Sequence, residues 1–191
     1  LARMQHDAHV MPSPDTGYKF VAGGEQLQGH DRNKRPVVVG TGPCGLFVAL
    51  ILAQMGLRPI ILERGKGVRE RAVDTFGFWR KRELNTESNV QFGEGGAGTF
   101  SDGKLYSQIK DPKHYGRKVL TEFVKAGAPE EIMYVSKPHI GTFRLVKMVE
   151  QMRENIIALG GEYRFSSKVT DIEVEEKDGQ RQVRGVVLAS G

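Results

Sequence analysis

Hydrophobic and polar positions along the chain alternate between short β-branched runs and longer stretches of helical spacing. Val37, Val38 and Val39 follow Pro36 as an uninterrupted run, the pattern of a strand buried on both faces of a parallel sheet. Leu46 to Met55 is apolar at helical spacing, and Gly56 stands where a helix C-cap belongs. A second strand is expected over Pro59, Ile60, Ile61 and Leu62, ending on Glu63. Leu145, Met148, Val149, Met152, Ile156 and Leu159 predict a helix over 143–159, with Thr142 as N-cap and Gly160 as stop. A further helix is expected over 118–126, with Val119, Leu120, Phe123 and Val124 on one face. Val169, Ile172 and Val174 alternate with polar residues, Asp178-Gly179 signals a hairpin turn, and 182–189 returns as the next strand. Residues 1–35 show no sustained period; Tyr18 to Val21 reads as a short strand, with the Gly23-Gly24 pair just beyond it.

The first of these elements are joined by Gly40-Thr41-Gly42-Pro43-Cys44-Gly45. The resulting order is strand, glycine turn, helix, strand, acid, and each part has a physical task. Gly40 turns the chain out of the strand, Gly42 lets bare backbone approach a pyrophosphate, and Gly45 lets the helix pack closely on the sheet. The helix beginning near Pro43 offers unpaired N–H groups and a partial positive charge to phosphates. Glu63 is placed to accept hydrogen bonds from an adenosine ribose, and its charge would repel a 2′-phosphate, against NADP in this site; Arg64 beside it points the other way. Cys44 reads as a small packing residue rather than a redox thiol, because the chain contains no second cysteine.

Composition narrows the class. The 191 residues are 39% hydrophobic and 27% charged, the balance of a globular protein, with no apolar run of the roughly 20 residues a membrane helix needs. The single cysteine excludes a disulfide framework and fits a reducing, cytoplasmic setting. The net charge of +5 invites nucleic acid, but the cations are dispersed; the densest group, Arg80-Lys81-Arg82, reads as a solvated helix face. No His/Cys/Asp/Glu group has metal spacing, and no Ser/His/Asp arrangement stands out. Glycine is in excess, 24 residues, concentrated at 40–45 and again at 93–103.

The second cluster lies in Phe92-Gly93-Glu94-Gly95-Gly96-Ala97-Gly98-Thr99-Phe100-Ser101-Asp102-Gly103-Lys104-Leu105. Gly95, Gly96 and Gly98 free the backbone while Thr99, Ser101 and Lys104 offer donors, a lining suited to a pyrophosphate or a flavin edge; a mobile surface loop is the alternative. Arg69 and Arg71 either reach phosphate or ribose or lie on a solvated face. His139, between Pro138 and Gly141, is the titratable residue outside the glycine loops best suited to acid or base work, with a structural turn as the alternative. No side chain is assigned a catalytic role.

The glycine fingerprint ending on Glu63, the 89–105 run, Lys137-Pro138-His139-Ile140-Gly141-Thr142 and Gly160-Gly161-Glu162 together resemble the bacterial FAD-dependent dehydrogenases, NAD(P)/FAD-dependent oxidoreductases of glutathione-reductase-like fold. The resemblance covers 36–191. It implies a Rossmann-like three-layer α/β fold, with a parallel sheet, helices and a β-meander, here incomplete at the C-terminus. It further implies a sheet strand over 162–165, FAD as cofactor, a small-molecule substrate of unspecified identity, and adenine against the backbone of Val169; the flavoenzyme reading takes NAD(P)H as its candidate electron donor. On this reading 36–191 is a partial FAD-binding domain behind an extension of unassigned role over 1–35. A chain that starts at Leu1 and stops mid-architecture is expected to be a fragment that binds FAD weakly or not at all by itself. Two other functions share these residues: an NAD-dependent dehydrogenase without flavin, and a non-catalytic or RNA-associated module that keeps the fold for binding.

Overall fold

The computed structural model describes residues 12–22 and 34–191. Three short parallel strands, β1 (Val37–Val39), β2 (Ile60–Leu62) and β3 (Glu162–Arg164), form one sheet in the order β1-β2-β3. Their registers pair Val38 with Ile61 and Ile61 with Tyr163. Helices α1 (Pro43–Gln54), α2 (Val68–Lys81), α3 (Tyr115–Lys125) and α4 (Thr142–Ala158) follow in chain order. A separate antiparallel hairpin, β4 (Val169–Lys177) and β5 (Gln180–Leu188), comes last, where a β-meander was expected. The turn between its strands has positive φ at both Asp178 and Gly179, the geometry the Asp-Gly signal calls for.

The core forms where one face of the sheet meets α1 and α4. Val38 and Ile61 pack with Leu46, Ala49, Leu50 and Ala53 of α1 and with Met148, Met152 and Ile156 of α4. The i, i+3/i+4 spacing of α4 survives as a buried stripe from Leu145 to Ile156, whereas Leu159 lies outside the helix and is half exposed. The cap of α4 is Gly141, at φ 88°, rather than Thr142, whose hydroxyl donates instead to the Ser101 carbonyl at 3.0 Å. That bond ties α4 to the second glycine loop.

Several expectations change here. β1 is not buried on both faces: Val38 is, but Val37 and Val39 are 42% and 59% exposed. They face a cavity of about 760 Å³ whose far wall is Ile172, Val183 and Val186 of the hairpin. Residues 18–21 are not a strand; the Tyr18 and Phe20 rings meet edge-on at 5.1 Å with the Lys118 ammonium over both. Gly23-Gly24 lies outside the described residues. Helix α2 has no counterpart in the apolar periodicity, because only Val68, Arg71 and Thr75 of its fourteen residues are buried. Helix α3 carries its expected apolar face only half-buried, and its one fully buried residue is Glu122, neutralised by Lys118 and Lys125 at 2.8 and 3.0 Å. Among the described residues no helix is long and apolar enough to cross a membrane, and no group of His, Cys, Asp and Glu could hold a metal ion.

Candidate functional site: the mouth of helix α1

The chain leaves β1 at Gly40 with φ 89°, a left-handed conformation that suits glycine, and the Gly40 N–H donates to the Leu62 carbonyl at 2.8 Å. Gly42 is the N-cap of α1 and Pro43 its first residue. Proline suits that place because the missing N–H would be unpaired there anyway. No side chain caps the helix and no acid stands in its first turn, which leaves its first N–H groups open to an anion. A β-carbon on Gly42 would meet nothing within 4 Å; one on Gly45 would lie 2.0 Å from the Gly40 carbonyl oxygen. The first glycine therefore opens space in front of the helix, and the second closes the helix onto the turn. Cys44 is exposed, which corrects its reading as a packing residue.

Glu63 directly follows β2 and is 4% exposed. Its Oε2 accepts hydrogen bonds from the Thr41 N–H at 2.8 Å and the Thr41 hydroxyl at 2.7 Å, and its Oε1 accepts from the Gly65 N–H at 2.8 Å. Thr41, fully buried, is a participant that sequence reasoning missed; only its place between two glycines marks it. Its carbonyl accepts from the Gly95 N–H at 2.9 Å, which joins the two glycine loops.

Arg71 is the centre of the second loop. It is fully buried and neither reaches outward nor lies on a solvated face: its guanidinium donates to the carbonyls of Asn89, Val90, Glu94 and Gly96 at 2.5 to 2.8 Å. Burial pushes its pKa down to about 10, against the pull of Glu63 and Glu94, so it stays charged at neutral pH. Arg69 is spent on Glu150, with bonds of 2.6 and 2.7 Å. Glu94, also fully buried, accepts from the Val68 N–H at 2.8 Å and so caps α2, and it pairs with Arg153 at 2.6 Å. Burial raises its carboxyl pKa, and its Oε1 has no partner.

Two cavities flank the α1 mouth. The first, about 330 Å³, is lined by Gly40, Gly42, Glu63, Arg64, Gly96 and Val169, with Phe92, Lys168 and neighbours completing it. The second, about 280 Å³, is mostly apolar: Pro43, Leu46, Phe47, Leu145 and Met148 line it with Gly98, Thr99 and Lys104 at its edge. Gly98 faces open space, and the Thr99 hydroxyl turns inward toward the Glu94 carbonyl at 3.4 Å. Gly45 and Arg71 line neither cavity; both act behind the walls. Lys104 and His139 form an isolated antiparallel bridge, with Asp102 between their side chains at 3.9 Å from Lys104 Nζ and 3.5 Å from His139 Nδ1. All three are about half exposed, and His139 lines neither cavity.

Fold and site together define a Rossmann-like α/β protein with a glycine-lined cavity at a helix N-terminus. No protein-family model matches the chain. Over 146 residues, 76% of its length, it is 55% identical to an uncharacterized protein of Clostridium beijerinckii, and it spans 27% of that relative. The crystal structure of Thermovibrio ammonificans THI4 superposes with a TM-score of 0.51 at 21% identity, over 86% of this chain and 50% of that one. That likeness is one of fold.

Proposed function

We propose that this chain is the ADP-binding part of an FAD-dependent oxidoreductase. The observation that carries the proposal is the uncapped mouth of α1, bare of side chains at Gly42, lying between two cavities, the first with Glu63, Arg64 and Lys168 in its lining and the second mostly apolar. A diphosphate suits the bare backbone and positive end of the helix. A carboxylate has about four acceptor positions; Glu63 uses three on Thr41 and Gly65, which leaves one for a ribose hydroxyl. Val169, on the far wall, suits the adenine, and Lys104 brings positive charge to the edge of the apolar cavity. FAD, when bound, supplies hydride and electron transfer between NAD(P)H and a small-molecule substrate. The chain's own residues bind, orient and exclude water.

The test is direct. The intact protein is denatured and the released chromophore identified by absorbance and mass. FAD is the expected result; release of a nicotinamide dinucleotide without flavin, or of no nucleotide, overturns the flavin reading.

A further inference from the structure

We propose that Glu87 sets the nucleotide selectivity of the first cavity by occupying the two cations at its rim, so that a second phosphate on the ribose finds no partner. The inference rests on the dinucleotide reading above. Arg64 and Lys168 both line that cavity. Arg64 directly follows Glu63, so its backbone is fixed beside the ribose-facing carboxylate.

Both cations are taken. Glu87 Oε2 accepts from Arg64 Nε at 2.9 Å and lies 2.7 Å from Nη2, while Oε1 accepts from Lys168 Nζ at 3.1 Å. The Arg64 guanidinium is also stacked on the Phe92 ring, 3.7 Å from its centroid. Glu87 itself is held by its own N–H, which donates to the Asn85 side chain at 3.0 Å. The clamp therefore joins the end of β2, the 85–92 loop and the link from β3 to β4. Arg64 first and Lys168 second hold its carboxyl below the ordinary range, so the clamp is charged at neutral pH.

In sites of this type a carboxylate at the end of the second strand meets the ribose hydroxyls, and a nearby arginine accommodates a 2′-phosphate. Here three donors from Thr41 and Gly65 already engage Glu63, and none of them is a cation. Two side-chain cations at the rim against two carboxylates, Glu63 and Glu87, leave no excess positive charge for an added phosphate. Removing Glu87 leaves both cations free and turns the rim into a phosphate acceptor.

The measurement uses the intact protein, stripped of bound nucleotide, titrated calorimetrically with ADP and with 2′-phospho-ADP. Glu87→Ala is expected to raise affinity for the 2′-phosphorylated probe relative to ADP about tenfold, the scale of one freed charge-assisted contact. Adding Arg64→Gln and Lys168→Gln to that variant should return the ratio to the native value. Glu87→Gln keeps the packing and removes the charge, and it should shift the ratio in the same direction. If ADP binds all variants and the ratio does not move in either Glu87 variant, the role of Glu87 is wrong while the pocket stands. If the native protein binds neither probe, the dinucleotide reading falls and this inference with it.

Discussion

Gly42→Ala separates binding from folding. The native backbone at Gly42 has φ −62° and ψ 177°, which any residue adopts, and the added methyl meets nothing within 4 Å. Two opposed effects act on stability. Alanine is a poorer N-cap than glycine by roughly 0.5–1 kcal/mol, and it removes unfolded-chain entropy worth about 0.4–1 kcal/mol. The net change is expected to stay within about 1 kcal/mol. Nucleotide affinity behaves differently. Gly42 lines the first cavity beside the uncapped helix end, and a methyl there holds a diphosphate off the backbone N–H groups. A loss of at least about 1.4 kcal/mol, tenfold or more in Kd, is expected. Urea unfolding measures the first quantity, and titration of the stripped protein with FAD or ADP measures the second. A variant of native stability that binds both ligands as tightly as the parent refutes the helix-mouth site.

Gly45→Ala should do the reverse, losing about 1–3 kcal/mol of stability by denaturant melt, because its β-carbon would lie 2.0 Å from the Gly40 carbonyl oxygen. Arg71→Leu leaves four loop carbonyls without their donor; a loss above about 4 kcal/mol and early proteolysis within 85–101 are expected, the first read by urea melt and the second on a limited-digestion gel. Glu122 tests the sign of a charge effect. Burial alone would raise its carboxyl pKa, but hydrogen bonds from Lys118 and Lys125 outweigh burial and the pKa is lowered. A folded value below the unfolded one means its contribution is present above the unfolded value and is lost as pH falls through the folded one. The stability gap between the parent and Glu122→Gln should therefore narrow on acidification, measured by melts from neutral pH downward; a gap that widens contradicts the assignment.

The parts of the fold legible in the sequence are those whose signal is local. β1, β2, α1 and α4 fall where apolar period and punctuation put them, within a few residues, because each contributes apolar side chains to one contiguous core. The exposure of Val37 and Val39 was not legible, since burial of a Val run depends on what lies across the sheet, and here that is a cavity. Helix α2 was missed for a related reason. It is held by charge rather than by an apolar face: Glu94 caps it from 26 residues away, and the buried stripe contains an arginine. In the candidate site the spacing of Gly40, Gly42, Gly45 and Glu63 was readable because each answers a backbone requirement. Thr41, Glu87 and the inward role of Arg71 were not, because their partners come from distant segments and no period connects them.

These missed residues explain how the site can be rigid at all. A loop with Gly93, Gly95, Gly96 and Gly98 loses more backbone freedom on ordering than almost any other sequence, and it has few side chains with which to hold itself. The holding comes from outside the loop. One buried guanidinium gathers four of its neighbourhood's carbonyls, and the Thr41 carbonyl fixes the Gly95 N–H. A charged donor suits this task because a guanidinium carries about five N–H groups in a fixed plane, where a loop of glycines supplies only acceptors and scattered amides. The arrangement reconciles two demands that conflict in a single segment. Backbone that must come within contact distance of a phosphate has to be bare, and backbone that must bind without a large ordering cost has to be immobile. On the proposed dinucleotide reading, the chain meets the first demand with glycines at the cavity wall and the second with Glu63 in that wall and Arg71 behind it.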